Sequence, residues 1–279
     1  MNDQPKGTLR KVASIVIILI TLALAFTSSG LLTNKSLNDG NLSTPSTEPN
    51  YVFSPYIPGV DEKIVCIVFD DGWKSQLSAI PVLDSYGFKA TFGIITSVTS
   101  STSYLNWSQI QSLANDGMDI ESHSYSHANL SASTSGGLYR EVKMSKYELK
   151  AHGYYSEIFI YPYGEGFNNN TVKSYISNYY LCARSVDSGV NNLSNLDRYN
   201  IKTFIILDYL YLNRTNPIYR QIGKVIGNNI GVLCYHQIDD SVADEYSISL
   251  QQFKEQMKYL HDNNFTVITM KQLFLQQTN

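Results

Sequence analysis

The sequence predicts an α/β domain whose parallel strands curl into a closed or nearly closed barrel, and three observations lead there. From Glu62 onward, short apolar runs rich in β-branched residues alternate with helical patterns, the trace left by parallel strands joined through crossover helices. Seven or eight such runs occur, and residues able to do chemistry fall at their C-terminal ends, the rim on which barrels of this class carry their reactions. A doubly wound open sheet is the alternative, but no Gly-rich phosphate loop follows the first strand.

Two segments precede the barrel. Val12–Phe26 is apolar apart from Ser14 and Thr21, and Lys6, Arg10 and Lys11 stand just before it. Residues 1–33 therefore read as a signal peptide or a single-pass membrane anchor. The positive charges stay inside, so the rest of the chain is expected outside the cell, anchored or secreted. Residues 34–60 are rich in Ser, Thr, Asn and Pro with no hydrophobic period, as a flexible extracellular linker would be. Residues 61–279 are left for a single domain.

Within that domain the expected strands are Lys63–Asp70, Ala90–Ile95, Met118–Ser122, Glu157–Tyr161, Tyr179–Ala183, Ile201–Leu207, Gly231–Tyr235 and Thr266–Thr269. The expected helices are Gln76–Tyr86, Trp107–Asp116, Gly137–His152 and Leu250–Asn263, each with an apolar stripe able to cover one face of a sheet. A hydrophobic content of 43% against 16% charged residues excludes wholesale disorder. The formal charge of −3 offers no basic surplus for nucleic acid. Cys66, Cys182 and Cys234 each lie in an apolar run, where free buried thiols are at home, and their wide spacing makes no disulfide framework or CxxC zinc site.

The chemistry gathers at strand ends. Asp70 and Asp71 close the first strand, where adjacent carboxylates leave in different directions, so that one can hold a metal while the other stays free as a base. Asp-Gly also makes turns, which is the plainer reading of that tripeptide alone. His123 and His127 stand at i and i+4, a spacing that brings both to one ion if the segment turns helically. With a carboxylate from another strand end, a His, His, Asp site with an open position is the economical reading. Pro162 and Tyr163 follow the fourth strand, Arg184 the fifth, and His236 the seventh. His152 and His261 read as helix-end residues. Trp73, Trp107, Tyr125 and Tyr163 could stack on sugar faces, although aromatics at such positions more often pack.

Four segments taken together, FDDG at Phe69–Gly72, HSYSH at His123–His127, YPYG at Tyr161–Gly164 and LCYH at Leu233–His236, resemble the ordered motifs of the polysaccharide deacetylase family. That resemblance, spanning about residue 63 to the C-terminus, implies a distorted (β/α) barrel of about seven strands. It implies Asp71, His123 and His127 as metal ligands, Asp70 as general base and His236 as general acid. The backbone N–H of Tyr163 would stabilise an oxyanion, with Pro162 and Arg184 beside the substrate. Two features depart from the family. An arginine that commonly precedes the Pro-Tyr pair is replaced by Ile160, for which Arg184 is the candidate substitute. A carboxylate that tunes the acid histidine is not evident, and Asp187 and Asp239 are the candidates.

The resulting expectation is a metal-dependent deacetylase of an N-acetylated polysaccharide or oligosaccharide at the cell envelope. Zinc is the expected ion, although the same donors accept cobalt, nickel or iron. A sugar-binding barrel without turnover, motivated by the missing arginine, and a metal-dependent hydrolase of a non-sugar amide are the alternatives.

Overall fold

The computed structural model describes residues 48–207, 222–241 and 244–278. The expected membrane segment at 1–33 and residues 34–47 of the expected linker lie outside the described residues. Among the described residues no helix is long and apolar enough to cross a membrane.

The strands in chain order are β1 (Asn50–Phe53), β2 (Lys63–Phe69), β3 (Thr91–Ile94), β4 (Asp119–Ser122), β5 (Ile158–Ile160), β6 (Cys182–Arg184), β7 (Asn191–Asn192), β8 (Phe204–Ile205), β9 (Asn229–Tyr235), β10 (Gln237–Ile238), β11 (Ser247–Ile248), β12 (Phe265–Val267) and β13 (Leu275–Thr278). The helices are α1 (Ile80–Ser85), α2 (Trp107–Asn115), α3 (Ser135–Leu138), α4 (Ser145–Ala151), α5 (Asn170–Ser177), α6 (Leu250–Asp262) and α7 (Met270–Phe274). A π-helical turn, Tyr139–Met144, joins α3 to α4.

The main sheet runs β6-β5-β4-β3-β2-β9-β7, with β12 beside the first half of β2 and β8 beside β9. Every pairing on it is parallel except β7 with β9. β2 lies at its centre and is buried on both faces, which is why KIVCIVF reads as an unbroken apolar run rather than an alternating one. Val65, Ile67 and Phe69 pack with Leu83, Ile110 and Phe253 of the covering helices. Ile64, Cys66 and Val68 pack with Ile158, Ile160, Ile230 and Val232 from other strands of the sheet. The three cysteines are free and buried, as expected.

The barrel expected from the sequence is present as a curled sheet of mostly parallel strands. Its two ends meet through one parallel bridge, Arg184 to Ile201, before Phe204–Ile205 joins β9. Strands of two or three residues leave little ladder for full closure. Other boundaries shift for local reasons. The helix expected from Gln76 begins as a 3-10 turn and becomes α-helical at Ile80, with Pro81 in its first turn. β6 starts only at Cys182, because the N–H groups of Tyr179 and Tyr180 still bond to Ile176 O. β12 stops at Val267, because Thr269 caps α7 by accepting from the Gln272 N–H. Within the span read as linker, β1 pairs antiparallel with β13.

α7 sits against the N-terminal ends of the strands. Met270, Leu273 and Phe274 enter the inner cluster, while Lys271 Nζ lies 2.9 Å from Asp119 Oδ1 and 3.0 Å from Glu121 Oε1. Glu121 Oε2 accepts from Ser156 Oγ and the Glu157 and Ile158 N–H groups. One lysine thus faces two buried acids from β4, and burial still pushes Glu121 up to about 8 against the pull of Lys271. Lys271→Met should lose about 3 kcal/mol or more of folding stability, since both acids would be left without a counter-charge. Denaturant unfolding at pH 7 measures it.

Candidate active site

The site is built where the strands end. The Asp70 N–H continues the β2–β9 ladder by donating to Tyr235 O at 2.9 Å. Asp71 and Gly72 then take positive φ values of 72° and 74°, a left-handed step that turns the chain sharply. This is how neighbouring carboxylates come to face different partners. Gln76, fully buried, donates from Nε2 to both Asp70 O and His236 O, tying the ends of β2 and β9 together.

Asp71 Oδ1 lies 3.3 Å from the Nε2 atoms of both His123 and His127, which are themselves 3.1 Å apart. Trp73 Nε1 donates to Asp71 Oδ2 at 2.9 Å, and its indole stacks on Tyr104. His123 Nδ1 lies 3.0 Å from Ile160 O. Donation to that carbonyl leaves the Nε2 lone pair facing the cluster. The helical turn expected between the histidines is absent: Ser124 and His127 adopt φ of 66° and 61°, and the His127 N–H bonds to Ser124 Oγ. Two left-handed residues, rather than a helix, bring the imidazoles to one point.

These three atoms suit a cation. Oxygen and nitrogen donors bound to zinc at about 2.0–2.1 Å in a tetrahedron stand about 3.3 Å apart, the spacing seen here. Burial and then the neighbouring His123 hold His127 down at about 4, so its imidazole is neutral and able to donate a lone pair at neutral pH. Burial also lowers His123, but Asp70 and Asp71 more than offset it and raise the residue overall. Burial raises Asp71, and the hydrogen bond and charge of His123 outweigh it to leave the carboxyl below its usual range.

Asp70 is 3% exposed and is not part of that triangle. The Arg184 guanidinium contacts both its carboxylate oxygens, and Cys234 Sγ donates to Oδ2 at 3.2 Å. Burial alone would raise this acid. Arg184, followed by His123 and His236, holds it well below the usual carboxylate range. Arg184 is fully buried, so it serves Asp70 and does not face a substrate, which corrects its placement beside the substrate. Its position is informative: Arg184 on β6 is the cross-strand partner of Ile160 on β5. The guanidinium missing at Ile160 is supplied from the next strand.

His236 Nε2 lies 4.0 Å from Asp70 Oδ2. Neither candidate carboxylate tunes it. Asp187 accepts from Asn200, Asp239 accepts from Ser241, and among the described residues His236 Nδ1 has no hydrogen-bond partner. Asp70, Asp71, His123, His127 and His236 together line a cavity of about 500 Å³. Tyr163 also lines it, at φ 56° with its ring 4.3 Å from that of His127, whereas Pro162 is buried beneath.

Of the other aromatics, Trp107 packs instead on His152, and Tyr125 lies under Arg140. His152 caps the end of α4 and His261 lies in the last turn of α6, as expected. Sequence reading missed the supporting residues Gln76 and Cys234. It also missed Gly93, where a Cβ would stand 2.7 Å from Ile160 Cδ1 and 3.6 Å from Asp70 Oδ1. An Asp-Gly followed by Trp and Gln was the available signal for the first of these; nothing in the sequence signalled the thiol.

Residues 58–181 match the family model described as polysaccharide deacetylase. Over those residues the chain is similar to that family. The match includes Asp70, Asp71, His123, His127, Pro162 and Tyr163, while Arg184 and His236 lie beyond it and are placed by the structure. YxkH of Bacillus subtilis (strain 168), named as a polysaccharide deacetylase, is 34% identical over 116 residues, which are 40% of this chain. The chain spans 41% of the length of that curated relative.

Solved structures share the fold at lower identity. The Xyl-CE4 domain of a multidomain xylanase from the hindgut metagenome of Trinervitermes trinervoides aligns with a TM-score of 0.54 and 20% identity, covering 76% of this chain and 90% of that one. The family 4 carbohydrate esterase of Streptomyces lividans aligns with a TM-score of 0.51 and 18% identity, covering 74% and 92%.

Arg184→Met should lose about 3 kcal/mol or more at pH 7, because Asp70 keeps a buried charge without its partner. Asp70→Asn in the same background should recover part of it. Asp70 sits below its ordinary 3.8 in the folded state, so the stability it contributes is present above that value and lost as pH falls through the folded one. Without Arg184, burial would raise Asp70 above 3.8, so the variant takes up a proton on folding as pH falls and the Arg184→Met deficit should shrink toward pH 4. A deficit unchanged with pH would show that charge pairing is not its cause.

Proposed function

We propose that this chain is a metal-dependent hydrolase that removes acetyl groups from an N-acetylated polysaccharide or oligosaccharide, working outside the cell at the envelope. The convergence of Asp71, His123 and His127 on one point, with a separate ionised Asp70 and His236 flanking it, carries the reading. The matched family, and a carbohydrate esterase and a xylanase domain among the fold neighbours, support a carbohydrate substrate. The charged and apolar pattern of residues 1–33 supports the location.

Asp71, His123 and His127 would hold the ion, with zinc as our assignment from two imidazoles and a carboxylate. Bound there, it would supply a Lewis acid that polarises the acetyl carbonyl and lowers the pKa of water. Asp70, held ionised by Arg184, would accept the proton of an attacking water. Tyr163 lines the cavity, and its backbone N–H would donate to the oxygen that becomes negative. His236 Nε2, 4.0 Å from Asp70 Oδ2, would return a proton to the departing sugar amine, so that acetate and a free amine leave. The binding-only alternative loses its motive, because Arg184 stands where the absent arginine was needed.

The purified full-length chain should release acetate from acetylated chito-oligosaccharides, stop when treated with a chelator, and recover on addition of zinc. Asp70→Asn should keep its metal and lose roughly 10²–10⁴-fold in rate, whereas His123→Ala should lose both. Acetate assay and elemental analysis read the two. No release with any divalent metal would overturn the enzymatic reading, and equal metal loss in the two variants would reverse the roles.

A further inference from the structure

The loop from Ser124 to Ser126 determines where His127 stands relative to His123, and it is held from two sides. On one side the Thr96 and Ser97 N–H groups donate to Ser124 O and Tyr125 O. On the other, three donors of the loop end on a single residue, Glu141. Its carbonyl accepts from the Tyr125 N–H at 3.0 Å, and its carboxylate oxygens accept from the Ser126 N–H at 2.7 Å and Ser126 Oγ at 2.6 Å.

Glu141 is 2% exposed. The nearest cation, Arg140 Nε, stands 3.6 Å from Oε1 on a largely exposed side chain. A buried carboxylate is costly unless hydrogen bonds satisfy it, and here Ser126 satisfies it. The residue reaches the loop because it lies in the π-helical turn, a distortion that recurs at functional sites. That turn is fastened to the strand end carrying the first histidine. Ser145 Oγ bonds to Glu141 O and Val142 O, Ser122 Oγ to Ser145 Oγ, and Tyr180 OH to Val142 O. Ser122 immediately precedes His123, and Ser126 immediately precedes His127. Both histidines are thus referred to the same helical turn.

We infer that Glu141 is a positioning residue that fixes the spacing of His123 and His127 through Ser126, and thereby sets how tightly the site holds a divalent ion. The inference rests on the metal reading above and adds a determinant of affinity outside the ligand set. Partners that orient metal-ligating histidines are worth about 10–100-fold in affinity when removed.

The test is the zinc dissociation constant of the full-length chain, measured by competition with a chromophoric chelator, beside the unfolding midpoint of the metal-free protein. Glu141→Ala should bind zinc about 10-fold or more weakly. Glu141→Gln should stay close to wild type, because its amide oxygen can accept from the Ser126 N–H and its amide nitrogen can donate to Ser126 Oγ. Ser126→Ala, which deletes only the hydroxyl arm, should fall between them. Should Glu141→Ala fail to fold, Ser126→Ala decides alone. A lowered midpoint with wild-type zinc affinity would overturn the inference and leave the metal reading standing, as would Glu141→Gln binding as weakly as Glu141→Ala. No zinc binding by the wild-type chain would overturn the metal reading and the inference together.

Discussion

The ion pair between Arg184 and Asp70 is the contact on which the rest of the site depends. Asp70 is almost wholly buried, and burial by itself would favour its protonated form. The guanidinium reverses that preference, so a carboxylate stands ionised a few ångströms from two histidines without being shared among them. Because the pair joins β6, at one end of the sheet, to the end of β2, with three strands between them, it forms only when the sheet has curled. The charge and the fold therefore require each other. A cation on an exposed side chain would be screened by water and could not do this.

Around that pair the backbone is bent to place donors. Asp71, Ser124, His127 and Tyr163 are non-glycine residues at positive φ, and all four stand at or beside the cavity. Left-handed conformations cost on the order of 1 kcal/mol or more each for such residues. Hydrogen bonds accepted by Ser124 and Glu141 and donated by Gln76 hold the loops that contain or adjoin them. The strain falls where atoms must converge, while the strands beneath remain regular and apolar.

Sequence reading reached the alternation of strands and helices and the residues at the strand ends, because both leave local marks. An unbroken KIVCIVF run announces a strand covered on two faces, and a carboxylate or imidazole directly after such a run must stand on the rim. It misjudged how the histidines meet, since two left-handed residues can replace a helical turn without altering the i, i+4 spacing. It placed Arg184 beside the substrate, because an arginine after a strand looks the same whether it faces solvent or a buried acid. The β1–β13 pair and the clasp of Lys271 on Asp119 and Glu121 went unseen, as their partners are more than 100 residues apart.

The order of the residues by itself determined the alternation of strands and helices and the set of side chains able to do chemistry, because these follow from periodicity and from chemical type. Tertiary structure decided which carboxylate faces the histidines, which is locked to a guanidinium, and that neither Asp187 nor Asp239 supports His236. The reason is physical: a side chain's charge state and partners depend on distances across the curl of the sheet, and those are set only when strands remote in the chain pack together.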